Sequence, residues 1–174
     1  MNLEIERKFI LKSIPKTTPV EKIKIEQWYH KIDDVWERVR KCESSKNGVY
    51  YVHTIKTPVS DLANMEDEKL LTKEEFNSFV KLCVDDSSKF ISKERLVYPH
   101  TGGLKWEVDV FNSGHHLIIA EIEIPSEDYE VKIPKFIKQK LLLEVTGMKQ
   151  FSNKSLSNFI TTKKRKRKQL IKST

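Results

Sequence analysis

The sequence predicts an α+β protein, mostly antiparallel β: an eight-stranded closed barrel, or tunnel, with a few flanking helices. Three observations predict it. Short runs of alternating apolar and polar residues recur along the chain, broken by turn residues. The runs number eight, and closing antiparallel strands on one another removes the exposed edges of an open sheet. Six of the segments place two charged residues on one face, two positions apart: Glu4/Glu6, Arg38/Arg40, Glu66/Glu68, Lys93/Arg95, Glu107/Asp109 and Glu121/Glu123.

The strands are expected over 2–11, 24–32, 35–42, 49–57, 65–71, 88–98, 104–111 and 116–125. In the first, Glu4, Glu6 and Lys8 point one way, and Leu3, Ile5 and Phe9 the other. Asn47-Gly48, Gly102-Gly103 and Ser113-Gly114 supply turns, and Asp33-Asp34 forms a further hairpin tip. A helix follows the fifth strand. Thr72 caps it, Glu75 completes a capping box, and Phe76, Phe79, Val80 and Cys83 form its apolar stripe. Residues 135–143 read as helical after Pro134, and 153–161 as a late helix capped by Asn153 or Ser155.

Length indicates one domain over residues 1–161, followed by a basic tail, 162–174, expected to be disordered. The net charge of +7 is a property of that tail. Seven of the 32 basic residues (Lys163, Lys164, Arg165, Lys166, Arg167, Lys168 and Lys172) lie there, and the other 25 match the 25 acids. The chain before the tail is therefore neutral, its charges sorted by strand. The alternatives for the tail are a solvated end, a nuclear-import address, or a contact with RNA, polyphosphate or an acidic membrane. No apolar run reaches the ~18 residues of a membrane span. No leader pattern is visible at the start, and two cysteines without metal-like spacing suit a reducing compartment. A cytoplasmic location is expected, or a nuclear one if the tail is an address. The sequence leaves monomer and homodimer equally open.

A solvated face is the usual meaning of charges alternating with apolar residues. Like charges side by side repel, however, and six sorted pairs call for another reason. With the apolar faces packed under helices, the bore would hold Glu4, Glu6, Glu66, Glu68, Glu107, Asp109, Glu121 and Glu123. It would also hold Lys8, Arg38, Arg40, Lys56, Lys93 and Arg95. Buried unpaired charge costs several kcal/mol per ion, so such a bore must be wet, internally paired or filled by a charged ligand. A metal–polyphosphate satisfies both signs. Carboxylates hold a hard divalent cation, and Arg and Lys hold phosphate oxygens. No GxxxxGK loop is present, so phosphate would be held by side chains. His30, His53, His100, His115 and His116 show no metal spacing. Trp28, Trp36 and Trp106 read as packing residues, with Trp28 or Trp36 the alternatives for stacking on a ring at the tunnel mouth.

These residues resemble the CYTH, or triphosphate tunnel metalloenzyme, superfamily. Glu4-x-Glu6-x-Lys8 is similar to its ExExK signature. The match continues in order through Glu26-Gln27-Trp28-Tyr29, Arg38-Val39-Arg40-Lys41, Thr54-Ile55-Lys56, Glu66-x-Glu68 and Lys93-Glu94-Arg95. Trp106-Glu107-Val108-Asp109, Ala120-Glu121-Ile122-Glu123 and Glu144-Val145-Thr146-Gly147 complete it, over roughly residues 1–160. The resemblance implies a tunnel that binds a triphosphate-containing small molecule and one or two divalent metals, Mg²⁺ or Mn²⁺. It implies metal-side carboxylates at Glu4, Glu6, Asp109, Glu121 and Glu123. Phosphate contacts would come from Lys8, Arg38, Arg40, Lys56, Lys93, Arg95 and Lys149, and catalytic roles from Lys8 and from Glu66 or Glu68 in orienting water. The family's Tyr-Ser-Asn reads Phe151-Ser152-Asn153 here, without the hydroxyl. Hydrolysis of inorganic tripolyphosphate to diphosphate and orthophosphate is the activity implied. The alternatives are class IV adenylate cyclase, nucleoside or RNA 5′-triphosphatase, thiamine triphosphatase, and a non-catalytic polyphosphate-binding module.

Overall fold

The structure, a computed structural model, describes residues 1–32, 35–83, 89–112 and 116–158. Its strands are β1 (Asn2–Leu11), β2 (Glu21–Ile32), β3 (Val35–Ser44), β4 (Gly48–Pro58), β5 (Ala63–Leu71), β6 (Lys89–Pro99), β7 (Lys105–Phe111), β8 (Ile118–Glu123) and β9 (Leu141–Glu144). The sheet order is β5-β4-β3-β2-β6-β7-β8-β1-β9, and β1 also pairs with β5. That last pairing closes eight antiparallel strands into the predicted barrel. Gly48, at φ 69°, turns β3 into β4 after Asn47. Gly102, at φ 70°, lies in the 3-10 turn that joins β6 to β7. The expected turns at Asp33-Asp34 and Ser113-Gly114, and the basic tail, lie outside the described residues.

The ninth strand corrects the expected helix over 135–143. The helix there, α2, covers only Lys135–Lys138, and Leu141–Glu144 runs as a strand along β1. The reason lies in β1 itself. One edge of β1 pairs with β8 over Glu6–Ile10; on the other edge β5 pairs only with Asn2–Ile5. The backbone groups beyond would be orphaned, and β9 satisfies them over Phe9–Leu11. Exposed Arg7 and Glu144 pin the pair with a two-pronged bridge, Nε–Oε1 2.9 Å and Nη2–Oε2 2.8 Å.

Helix α1 (Lys73–Leu82) forms as its sequence predicts. Thr72 Oγ1 accepts from the Glu75 amide at 3.2 Å, and the Glu75 carboxylate accepts from the Thr72 amide at 2.8 Å. Phe76 packs on Val39 and Leu71, with Trp28, Tyr51, Phe79 and Val80 around it. The larger core lies outside β1, β7 and β8. Ile5, Phe9, Trp106, Val108, Ala120 and Ile122 pack there against Ile137 of α2. The apolar faces therefore point out of the barrel, under helices, and the opposite faces line the bore. Trp28 stacks near Phe76 and Phe90, and Trp106 near Phe9, as packing residues.

Candidate functional site

The bore is a cavity of about 700 Å³. Period-2 alternation puts Glu4, Glu6 and Lys8 of β1, Arg38 and Arg40 of β3, and Thr54 and Lys56 of β4 on its wall. It does the same for Glu66 and Glu68 of β5, Arg95 of β6, Glu107 of β7, and Glu121 and Glu123 of β8. Register explains which of them meet. Lys8 lies opposite Glu121, Glu6 opposite Glu123, and Lys56 opposite Glu66. One end of the bore is apolar, with Ile23, Ile25, Cys42 and Val97 in one cluster with Tyr50. At another point Leu156 of α3 (Asn153–Leu156) packs on Ile91, Phe111 and Ile119. That helix is shorter than expected, and its cap is Ser152, whose Oγ accepts from the Ser155 amide at 3.1 Å, instead of Asn153 or Ser155.

The charges are paired across strands. Lys8 Nζ stands 2.9 Å from Glu121 and 3.1 Å from Glu6. Lys56 bridges Glu4, at 2.5 Å, and Glu66. Arg38 reaches Glu68 at 3.4 Å and Glu66 at 3.9 Å, while Arg40 contacts Glu68. Thr54 donates to Glu68 at 2.7 Å and accepts from Arg38 at 3.2 Å. Arg95 joins three acids: Glu107, Asp109 at 2.7 and 2.8 Å, and Glu121 at 3.2 Å.

Lys93 and Asp109 share the bore-facing parity of Arg95 and Glu107 but are buried, 2% and 0% exposed, in contact with each other, with Asn153 of α3 3.4 Å from Lys93 Nζ. Asp109 is engaged by Arg95 and Lys93 and so braces the basic side of the tunnel. Burial would raise its pKa, but Arg95 and then Lys93 hold it below the ordinary value. Lys149 sits at the rim, strongly exposed and 3.7 Å from Asp61. Sequence reasoning left Lys105 and Lys154 without a role. Lys105 lines the cavity 2.9 Å from Glu107, and two-residue spacing to Glu107 was a signal for it. Lys154 lines the cavity from a one-turn helix, where no periodicity could mark it.

The pairing does not balance the walls. Burial, then Glu121, raises the pKa of Glu6; burial, then Glu4 and Glu107, raises that of Glu123. Across the bore, burial and then Arg38 pull Arg40 down to about 10. The Nε atoms of Arg38 and Arg40 are buried with no hydrogen-bond partner. Glu6 and Glu123 thus disfavour their own negative charge, and Arg40 its own positive charge. Among the described residues no three His, Cys, Asp or Glu side chains are already gathered as a metal cage.

Burial pulls Lys93 down to about 8, with Asp109 only partly opposing it and Arg95 adding to it. An ammonium disfavoured by folding lowers stability below its folded pKa, and the loss is relieved as pH rises from about 8 towards the ordinary 10.5. Chemical denaturation at a series of pH values should show this rise in wild type and its absence in Lys93→Met. A wild-type-minus-variant difference flat across that window would contradict it.

Fold and site together define a closed antiparallel barrel whose bore is a tunnel with one acidic and one basic wall. Proteins of known sequence and structure are similar to this chain. The chain is 31% identical over 159 residues to an inorganic triphosphatase of Acetivibrio thermocellus, spanning 90% of this chain and 94% of that protein. The crystal structure of the inorganic triphosphatase NE1496 superposes with a TM-score of 0.57 at 26% identity, over 90% of this chain and 95% of that one. A second NE1496 structure gives a TM-score of 0.60 at 25% identity, over 91% and 99%. The PH1819 protein of Pyrococcus horikoshii OT3, at 16% identity and a TM-score of 0.52 over 72% of this chain and 80% of that one, shares the fold. No protein-family model matches the chain. This chain belongs to the CYTH, or triphosphate tunnel metalloenzyme, superfamily.

Proposed function

We propose that this protein hydrolyses a triphosphate in its tunnel, with Mg²⁺ or Mn²⁺. Inorganic tripolyphosphate is the favoured substrate: water attacks a terminal phosphorus and releases orthophosphate and diphosphate. The observation that carries this is the opposed imbalance of the walls. Glu6 and Glu123 are held above their ordinary pKa, while Arg38 and Arg40 keep buried Nε donors without acceptors. A cation relieves the first and a polyanion the second. The two inorganic triphosphatases to which the chain is similar support the same reading.

Glu4, Glu6 and Glu123 would hold the metal, with Glu121 beside them. When bound, that ion neutralises phosphate charge and activates water. Arg38, Arg40 and Lys56 grip phosphate oxygens, the guanidiniums in two-pronged fashion. Lys8, between Glu6 and Glu121, spans the metal side and the phosphate side. Glu68 acts as counter-ion: burial opposes its charge, but Arg40 and Thr54 hold its pKa below the ordinary value. Glu66, linked through Lys56 to Glu4, is then the carboxylate that orients water.

Phosphate release from tripolyphosphate, ATP, thiamine triphosphate and 5′-triphosphate RNA, each with Mg²⁺ or Mn²⁺ and with chelator, tests the reading. Tripolyphosphate should be turned over fastest, and chelation should abolish release. Tight binding of all four without turnover would make the tunnel a binding module.

A further inference from the structure

The tunnel mouth beside α3 carries a feature that the triphosphate grip does not use. The Nζ atoms of Lys89, on β6, and Lys154, on α3, lie 4.8 and 5.3 Å from the ring centroid of one indole, that of Trp36 on β3. Trp36 and Lys154 line the same cavity as Arg38 and Lys8. Lys154 is held in place. Its helix is capped by Ser152, Asn153 takes a 3.4 Å hydrogen bond from Lys93 in the tunnel wall, and Leu156 is sunk against Ile91, Phe111 and Ile119. Among the described residues no carboxylate lies within salt-bridge distance of Lys89 or Lys154.

We infer that Trp36, Lys89 and Lys154 form a charge-selective collar, which admits a ligand ending in bare phosphate and turns away one whose triphosphate carries a cationic ring. The ring of Trp36 is an aromatic surface on the same cavity as the phosphate grip, but two ammoniums already occupy it through cation–π contacts. A flat organic group must displace one of them to stack, and a cationic group meets two like charges as well. A terminal phosphate instead gains two charge-assisted partners. Burial and the charges of Lys89 and Lys31 lower the pKa of Lys154, in keeping with the crowding of positive charge at this point.

The inference rests on the triphosphatase reading and deepens it by naming what selects the substrate. Its test compares wild type with Lys89→Met, Lys154→Met and the double variant, which keep apolar stems but lose the charges. KM and kcat are measured for tripolyphosphate and thiamine triphosphate at fixed metal. The double variant should raise KM for tripolyphosphate about tenfold with kcat little changed, and should raise kcat/KM for thiamine triphosphate, reducing the preference between them more than tenfold. An equal loss for both substrates, or an unchanged preference, would overturn the collar. If wild type turns over neither substrate, the triphosphatase reading fails, and calorimetric binding of tripolyphosphate decides on the collar separately. Tenfold weaker binding by the double variant supports it, and equal affinity refutes it.

Discussion

Replacing Glu6 and Glu123 by glutamine will reduce metal-supported triphosphate hydrolysis by about 100-fold or more, while leaving the melting temperature of the metal-free protein unchanged or higher. The first half follows from the role proposed for these carboxylates, since positioning a divalent ion contributes several kcal/mol to the transition state and each ~1.4 kcal/mol is tenfold in rate. The second half follows from the sign of their pKa shifts. A carboxyl whose folded pKa is raised is disfavoured as the anion, so at neutral pH its charge lowers stability; the loss disappears as pH falls through the folded pKa. Glutamine removes that charge at every pH. Glu6 is a cleaner choice than Glu121, because Lys8 still keeps Glu121 at 2.9 Å when Glu6 is neutral, whereas neutralising Glu121 leaves both Lys8 and Arg95 short of a partner. Phosphate release with Mg²⁺ or Mn²⁺ and thermal melting without metal check the two halves. A variant that loses activity and melts much lower would mean these residues support the barrel more than a metal.

Arg95→Met should behave in the opposite way, with a loss of about 3–5 kcal/mol of stability. Arg95 is the one side chain in the described tunnel that joins Glu107, Asp109 and Glu121. Removing it strands fully buried Asp109 with Lys93 alone, and Lys93 is itself disfavoured as a cation. Marginal stability of roughly 5–15 kcal/mol makes such a loss easily visible in urea or guanidinium unfolding. Adding Asp109→Asn should recover a large part of it, because the uncompensated charge, more than the missing contact, is what destabilises. Arg95→Lys should not restore wild-type stability, since one ammonium cannot make the two-pronged contact to Asp109. Independent, additive losses in the double variant would refute the proposed linkage.

The two variants show how far period-2 patterning reaches. That Glu4, Glu6 and Lys8 share a face, and that Arg38 shares one with Arg40, is legible because a strand reverses its side chain at every residue. The same parity assigns Lys93 and Asp109 to the bore side, but it gives a face and not a depth, and only the fold shows that both are buried against Arg95 and Asn153. Leu141-Leu142-Leu143 reads as the end of a helix in the sequence, but a run of three leucines has no period of its own, and the unpaired edge of β1 decided for strand. Thr72 and Glu75 were legible because a capping box is local. Ser152 displaced its neighbours as the cap of α3 once a one-turn helix began at Asn153.

The sequence by itself determined the antiparallel strands, their inward and outward faces, the two signs of charge offered to the bore and the start of α1. Each of these depends on residues a few positions apart. Only the tertiary structure decided which charges meet. Lys8 finds Glu121, and Lys56 finds Glu4, through pairings set by barrel closure. It alone decided that Glu6 and Glu123 stand among like charges, that Arg38 and Arg40 keep unmet donors, and that Lys89 and Lys154 converge on Trp36. The reason is physical. Side-chain direction follows from local backbone geometry, whereas the field at a charged group is the sum over every strand that closes around it.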